Sequence, residues 1–551
     1  MNMRPFLTLH HPAAARRYYA EGLWQADTFY SLLVRHAGDQ PHAPALRDSR
    51  HRLTWSEVLA WADGVAADLA AQGLAGGDRV SIWLSNRIEA VIAFLACSRQ
   101  GYACNPSLHR GYVPSEVVRL IDYLQARALI TEPGLGVSRD DADPAAALAQ
   151  ASSLQHIYLL PDFPAPGAAP GEPISDPDKV AYLAFTSGTT GIPKCVMHSD
   201  NTLLANAREM VRDWGHGPRT KLLTLSPLSH HIAWVAAAQW LLAGCELIVN
   251  DPPARRHGID WIIETGATYV MGVPTHAMDI IAEQRRRGLE RLGSVEVFYM
   301  AGAPIPPSVA EAFVEQGIKP QNIYGMTENS SHQYTHPDDD RATIVNTCGR
   351  GGKAYEVRLF DPENSDREVP RGTLGEIGGR GAALMLGYYG NQPVTAASFN
   401  RNGWFLSGDL GVLDGADNLK IVGRLKELII RGGHNIYPAH IEALALRHAA
   451  VERAACVPVA DERLGERACI AVIGVIAPEA LLAHLAAEGL SKSDMPEYFL
   501  RVETFPLTAS GKILKRELVA MIERGELRPT PIRWRAKAAF VEKRAPAFRD
   551  A

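Results

Sequence analysis

The sequence predicts an α/β protein: a large N-terminal domain of layered α/β subdomains plus a small β-rich subdomain, then a small C-terminal α/β domain. Three observations predict it. Helix-period and strand-period segments alternate from about residue 54 to 328, the pattern of a largely parallel sheet covered by helices. Short strand patterns broken by glycines then run from Val357 to Gly423, which reads as a β-rich unit. Residues 424–435 are charged and then glycine-rich, and 428–523 resumes an α/β pattern. At 551 residues the chain exceeds one core, so domains are placed at 1–425 and 426–551.

The elements follow in order. A helix is expected around Thr28–His36. Thr54-Trp55-Ser56-Glu57 has the form of a capping box, and Val58, Ala62, Val65 and Leu69 then recur at helical spacing. Asp78–Leu84 reads as a strand, Arg87–Arg99 as a helix with one apolar face, Ser115–Leu124 as a helix capped by Ser115, and Ala128–Thr131 as a strand. Residues 161–178 hold six prolines and little hydrophobicity, the mark of a surface connection. Tyr182–Phe185 is a short buried strand. Helices are then expected at Asn201–Trp214, Trp234–Leu242, Thr275–Arg287 and Ser308–Gln316. Strands are expected at Leu222–Leu225, Glu246–Val249, Tyr269–Val273 and Val295–Ala301. Gly525–Ala551 is basic and aperiodic, a tail or a packed arm.

Composition excludes several classes. Apolar residues make up 46% of the chain, ordinary for a globular protein. A net charge of −5 gives no electrostatic case for nucleic acid. Cys97, Cys104, Cys195, Cys245, Cys348, Cys456 and Cys469 are scattered without a C-x-x-C pair, so they read as reduced thiols. The first residues lack the apolar stretch of a signal peptide, and the run Ile232–Gly244 is too short to span a bilayer. A cytoplasmic location is expected.

The chemistry is concentrated after the strand Tyr182–Phe185. Thr186-Ser187-Gly188-Thr189-Thr190-Gly191 contains no large side chain, and Pro193-Lys194 closes it. Glycines let the backbone approach a ligand, hydroxyls and exposed N–H groups form an anion-binding concavity, and Lys194 adds a positive charge. This is a loop suited to phosphate oxygens. It is not a Walker A loop, because no G-x-x-x-x-G-K-[ST] spacing fits.

Further motifs lie downstream in a fixed order: Gly302-Ala303-Pro304, Asn322-Ile323-Tyr324-Gly325-Met326-Thr327-Glu328, Trp404-Phe405-Leu406-Ser407-Gly408-Asp409, Gly423-Arg424-Leu425-Lys426-Glu427, and Thr508-Ala509-Ser510-Gly511-Lys512. With the phosphate loop they resemble the adenylate-forming superfamily, which includes acyl- and aryl-CoA synthetases, over about Leu53 to Leu518. The resemblance implies a large N-terminal domain, a hinge, a mobile C-terminal domain and two half-reactions. A carboxylate attacks the α-phosphate of ATP to give acyl-AMP and pyrophosphate, and a thiol then displaces AMP.

It also implies roles. Thr186–Gly191 and Lys194 would hold the β- and γ-phosphates. Glu328 would be the Mg²⁺ carboxylate, with Thr190 near the metal. Tyr324 would stack on adenine, Asn322 would bond its edge, and Thr327 would contact the α-phosphate. Gly302, Ala303, Pro304, Gly325 and Met326 would flank the nucleotide. Asp409 would take the ribose hydroxyls, with Arg424 as a second contact. Lys512 would neutralise charge during adenylation, Lys426 would be the hinge, and Arg431, Gly432, Gly433 and His434 would line the CoA tunnel. His230 resembles a gate between the acid and thiol tunnels. His440 stands where the family commonly has an acid.

For the acid, the expected pocket is His231, Trp234, Val273, Ala301 and Met326, with Met271 nearby. No acid near His231 is placed to take an ammonium, so amino acids are disfavoured. An apolar pocket suits a medium-chain, alicyclic or aromatic monocarboxylate. With no carrier domain after residue 551, CoA is the expected acceptor, and a free carrier protein is the alternative. A non-catalytic nucleotide sensor would be expected to lack Lys512 or Glu328, and both are present. Expected partners are the acid, ATP and CoA. Oligomeric state stays open, with a homodimer among the candidates, and a lysine acyltransferase acting on Lys512 is a further expectation.

Overall fold

Six parallel or near-neighbour strands organise the first part of the chain in the order His156–Leu159, Ala126–Thr131, Arg79–Trp83, Ala103–Asn105, Val180–Thr186, Lys194–Ser199. All neighbours are parallel except the last pair, Val180–Thr186 with Lys194–Ser199, which is antiparallel. The computed structural model describes residues 5–9, 11–136, 148–186, 193–254, 256–303, 305–507 and 512–534. By its contacts the chain divides into two units, Met1–Leu425 with Leu507–Lys512, and Lys426–Pro506 with Ile513–Ala551.

The first unit has two more sheets. One has eight strands in the order Ser330–Tyr334, Lys319–Met326, Val297–Met300, Tyr269–Gly272, Lys221–Thr224, Glu246–Val249, Pro44–Arg47, Arg52–Thr54. Its interior pairs are parallel and its two end pairs antiparallel. Alternate residues of a strand face opposite sides, and the packing follows that rule. Leu222 and Met271 join the core shared with the six-stranded sheet and the helices Trp55–Ala71, Ile88–Gln100 and His231–Ala243. Leu223 and Val270 face the other way, onto the helices Gly258–Thr265, Pro274–Arg286 and Pro307–Val314. The third sheet is antiparallel, in the order Asn364–Glu368, Tyr355–Asp361, Gly375–Gly381, Phe405–Leu413, Leu419–Arg424.

Local signals explain several helix starts. Thr54 caps Trp55–Ala71 through Glu57, and both halves of the capping box form. Thr28 caps Phe29–Asp39. Ser115 does not cap its helix: Val113 occupies the N-cap position of Pro114–Leu124 and Pro114 is the first helical residue. Proline has no N–H to satisfy and its φ is preset for a first turn, so it displaces the start from Ser115. The proline-rich stretch 161–178 has neither helix nor strand. It is tied down across Trp55–Ala71: Trp61 Nε1 donates to the Pro164 carbonyl (2.8 Å), Gly167 N–H to Ala60 O (2.8 Å). A Cβ on Gly64 would lie 2.0 Å from the Ala165 carbonyl, so only glycine admits this strap.

The second unit is a sheet in the order His434–Ile436, Ile429–Arg431, Gly465–Gly474, Tyr498–Arg501, Thr530–Pro531, with Val451–Asp461 also paired to Gly465–Gly474. Helices Pro438–Ala445 and Pro478–Ala487 pack into one core and Lys515–Glu523 into another. The basic C-terminal stretch is a packed arm as far as it is described. Thr530–Pro531 pairs with Tyr498–Arg501, and Ile532 and Trp534 pack on the core. All seven cysteines are free, and Cys348 alone of them is not fully buried. Among the described residues no helix is long and apolar enough to cross a membrane.

Candidate active site

The antiparallel strands Val180–Thr186 and Lys194–Ser199 bring Thr186 opposite Lys194. Ser187, Gly188, Thr189, Thr190, Gly191 and Pro304 lie outside the described residues. Lys194 Nζ sits 4.6 Å from the centre of the Tyr388 ring and 3.5 Å from its hydroxyl. The Tyr388 hydroxyl in turn donates to Glu328 Oε1 at 2.9 Å. Glu328 lies in the tight turn between strands Lys319–Met326 and Ser330–Tyr334. The turn is heavily bonded: Asn329 Oδ1 accepts from Met326 N–H (3.0 Å), Met385 N–H donates to the Glu328 carbonyl (2.7 Å), and His198 Nε2 lies 2.6 Å from the Thr327 carbonyl. Gly325 is required by packing, because a Cβ there would lie 1.7 Å from the Ser330 carbonyl.

A second chain of contacts joins Tyr324, Asp409 and Arg424. The Tyr324 hydroxyl donates to Asp409 Oδ2 (2.9 Å), and Arg424 Nε meets Asp409 Oδ1 (2.8 Å). Asp409 pairs with Arg424 in the sheet register. Gly408 has φ near +75° and donates its N–H to Glu376 Oε1 (3.1 Å), which turns the backbone before Asp409.

Lys512 belongs with the first unit. Gly302, held at φ +86°, lies beside it: an added Cβ would make ordinary contact with Lys512 Cε (3.5 Å) and Ile232 Cδ1 (3.6 Å). Lys512 keeps solvent exposure. Burial lowers its pKa, Arg424 lowers it further, and Asp409 and Glu328 act against them. Burial raises the Glu328 carboxyl, offset in part by the Tyr388 hydrogen bond and the charges of Lys194 and Arg424. Burial also raises Asp409, with Arg424 the main opposing charge. Lys194, Glu328, Asp409, Arg424 and Lys512 thus form one electrostatically coupled group. An anion entering it meets three cations, and the two carboxylates accept from the Tyr388 and Tyr324 hydroxyls.

The AMP-binding enzyme family matches residues 33–389, and its C-terminal domain matches 440–512. The chain belongs to the AMP-binding enzyme family. Among curated relatives, it is 28% identical to the medium-chain fatty-acid–CoA ligase of Escherichia coli K12, over 93% of this chain and 94% of that one. It is 33% identical to a feruloyl-CoA synthase of an Amycolatopsis species, over 88% and 97%. An ATP-bound crystal structure of MatB from Rhodopseudomonas palustris superposes with a TM-score of 0.80 at 28% identity, covering 90% of this chain and 99% of that one. By family the protein is an adenylate-forming acid–thiol ligase of the acyl-CoA synthetase type.

The structure places the AMP-binding motif residues unevenly. Asn322 is buried and its Nδ2 is committed to the Ile344 carbonyl (2.5 Å), so its amide nitrogen is already spent inside the protein. Trp234 corrects the expected acid pocket. It is fully buried, donates Nε1 to the Leu228 carbonyl (2.7 Å) and packs on Phe94 (4.4 Å between centroids), a core position. Met271 is likewise sealed in the core. An apolar residue at helical spacing reads the same whether it lines a pocket or fills a core. His231 has its Nδ1 3.3 Å from the Tyr182 hydroxyl and its Nε2 3.0 Å from Ser330 Oγ. Burial, reinforced by His198, holds it neutral. Val273 caps Pro274–Arg286, and Ala301 N–H donates to Gly272 O (3.2 Å). Ala303 and Met326 are half-buried. His230 stands at the N-cap position of His231–Ala243 without a side-chain capping bond, and stacks on His109 (4.4 Å, 27°), a partner the sequence reading missed.

Tyr388 was also missed. Its signal is Gly387-Tyr388-Tyr389-Gly390, paired aromatics between glycines. Only the fold brings it between Lys194 and Glu328. In the second unit, which starts at Lys426, Gly432 and Gly433 form a two-residue hairpin turn with φ of 58° and 84°. Arg431 pairs with Glu497 (2.9 Å) and His434 Nε2 with Asp494 (2.6 Å).

Proposed function

We propose that the protein uses ATP to activate a hydrophobic monocarboxylic acid as its acyl-AMP and then transfers the acyl group to CoA. The observation that carries this reading is the coupled group Lys194, Glu328, Asp409, Arg424 and Lys512, drawn together in the first unit from five separate motifs. Adenylation joins two anions, so its barrier is dominated by charge. Lys512 neutralises the acid carboxylate and the α-phosphate oxygens as the carboxylate oxygen attacks phosphorus and the bond to the β-phosphate breaks. Lys194 and the loop Thr186–Gly191 hold the departing pyrophosphate. Asp409 accepts the ribose hydroxyls, and Tyr324 offers its face to adenine while its hydroxyl orients Asp409. In the second half-reaction the CoA sulfur attacks the acyl carbonyl carbon and AMP leaves, with the Arg431–His434 turn serving the thiol and Lys426 the rotation between steps.

Glu328 fits a magnesium ligand: it is a buried hard oxygen donor, oriented by Tyr388. Among the described residues no group of three or more His, Cys, Asp or Glu gathers for a metal. One carboxylate completed by phosphate oxygens and water is the usual arrangement for this ion. Bound Mg²⁺ would supply electrostatic stabilisation of the phosphates.

For the acid, His231 already has both ring nitrogens engaged, and Ile232 and Met326, half-buried, offer apolar surface beside the buried Val273 and Ala301. This supports a medium-chain, alicyclic or aromatic monocarboxylate and disfavours an amino acid. The test is pyrophosphate release with ATP and Mg²⁺ across medium-chain, alicyclic, aromatic and amino acids, each with and without CoA. Catalytic release that requires CoA supports the reading. Release stalling near one equivalent despite CoA points to a carrier protein as acceptor, and no release with any of these acids counts against it.

A further inference from the structure

His198 belongs to none of the motifs above, yet it is fully buried on the strand that leaves the phosphate loop, four residues beyond Lys194. Both ring nitrogens are engaged. Nε2 lies 2.6 Å from the Thr327 carbonyl oxygen and Nδ1 lies 2.9 Å from Thr202 Oγ1. A carbonyl oxygen can only accept, so Nε2 carries the proton. Burial holds the ring neutral, so Nδ1 accepts from the Thr202 hydroxyl, whose other acceptor, the Ser199 carbonyl, lies farther away at 3.2 Å. The tautomer is therefore set by two partners on different elements. The ring also lies nearly parallel to His231, with centroids 5.6 Å apart and planes 19° apart.

What Nε2 holds is the turn that carries Glu328. The bonds between Met326 and Asn329 close that turn on itself. Segment 385–389 holds it from one side, through Met385 to the Glu328 carbonyl and Tyr388 to the carboxylate. That segment is itself bonded to the strand Lys194–Ser199 through Met197 and Cys195. His198 makes the direct link from the same strand. The strand bearing Lys194 and the turn bearing Glu328 are thereby fixed in register by a side chain with no solvent contact.

We propose that His198 is a positioning residue for adenylation: its Nε2–H anchors the Thr327 carbonyl and so sets Glu328 against Lys194. This rests on the reading of Glu328 as the carboxylate that serves the magnesium nucleotide. Losing the donor would leave the Thr327 carbonyl unpaired in the interior and free the turn to tilt.

Two substitutions separate this role from packing. His198→Gln places an amide N–H near the Nε2 position, whereas His198→Asn retains a polar group near Nδ1 and withdraws the donor. The full chain is assayed for pyrophosphate release against Mg²⁺, for Mg-ATP binding by calorimetry without acid, and for melting temperature. The expected result is at least a tenfold fall in kcat and a fivefold weaker Mg-ATP affinity in His198→Asn, with His198→Gln within threefold of the parent protein in both. Equal behaviour of the two variants, impaired or not, overturns the proposal. Ring ¹⁵N NMR of the parent protein decides it independently of any variant's folding: a proton on Nε2 is expected, and a proton on Nδ1 overturns it. Glu328→Gln is run alongside. If its magnesium dependence is unchanged, the reading of Glu328 fails, while the Asn–Gln contrast in Mg-ATP affinity still decides whether His198 positions the nucleotide site.

Discussion

The Tyr324 hydroxyl donates to Asp409 Oδ2 at 2.9 Å, joining the strand Lys319–Met326 to the strand Phe405–Leu413 in a different sheet. The residue proposed for adenine and the residue proposed for ribose are one hydrogen-bonded unit. Tyr324→Phe keeps the ring and removes the donor. With a bond of ~1 kcal/mol, the KM for ATP should rise about fivefold and kcat should change little. Steady-state pyrophosphate release against ATP concentration checks this, and an unchanged KM would dissociate the pair from nucleotide binding.

Glu328 sets function against stability. Burial raises its carboxyl above the ordinary 4.5. A carboxyl with a raised folded pKa stabilises the fold below its unfolded pKa and loses that contribution as pH climbs through the folded value. Above its unfolded pKa the carboxyl therefore costs the ligand-free fold stability, a cost that a neutral isostere would relieve. Glu328→Gln should raise the ligand-free melting temperature by about 1–3 °C at pH 7, with the gain fading toward pH 4.5, while magnesium-dependent turnover falls. Calorimetric melting across pH tests the sign.

Lys512→Ala should lower acyl-AMP formation by about 100-fold or more, the scale of one lost charge-stabilising donor. Thioester formation from supplied acyl-AMP should survive. Measuring the half-reactions separately decides the matter, and equal loss of both would refute a lysine specific to adenylation.

Lys515 is a structural cation of the second unit. Its Nζ lies 2.8 Å from both Glu427 and Glu442, and Glu442 also accepts from Cys456 N–H at 2.6 Å. Both carboxylates keep its pKa above the usual lysine range despite burial, so the pairing persists through all neutral pH. Lys515→Met would strand two carboxylates, destabilising the second unit by ~2 kcal/mol. Lys515→Arg should recover part of that. Thermal denaturation of the two variants measures it.

Features whose cause lies within a few residues were legible in the sequence. The capping box at Thr54 depends on Thr54 and Glu57 alone, and it formed as read. The strand expected at Glu246–Val249 has those bounds. Ser115 is not a cap, because Pro114 before it takes the first helical position and moves the N-cap to Val113. Trp234 could not be placed, because burial in a core and exposure to a pocket share one apolar pattern. Tyr388, His109 and His198 carry no local mark of their partners, which lie 60 to 194, 120 and 129 residues away for Glu328 and Lys194, Ser229 and Thr327.

The sequence by itself determined the family, the alternation of helices and strands, and the types of group available: a phosphate loop, two carboxylates and three cations in a fixed order. Side-chain chemistry and hydrophobic period are local properties, and a linear text records them. Only the tertiary structure decided which groups act together. It put Tyr388 between Lys194 and Glu328, locked Asp409 between Tyr324 and Arg424, took Trp234 into the core, and bound the Glu328 turn to His198. Those relations depend on how separate strands and sheets pack across the first unit, and distance in space is a quantity that order along the chain does not contain.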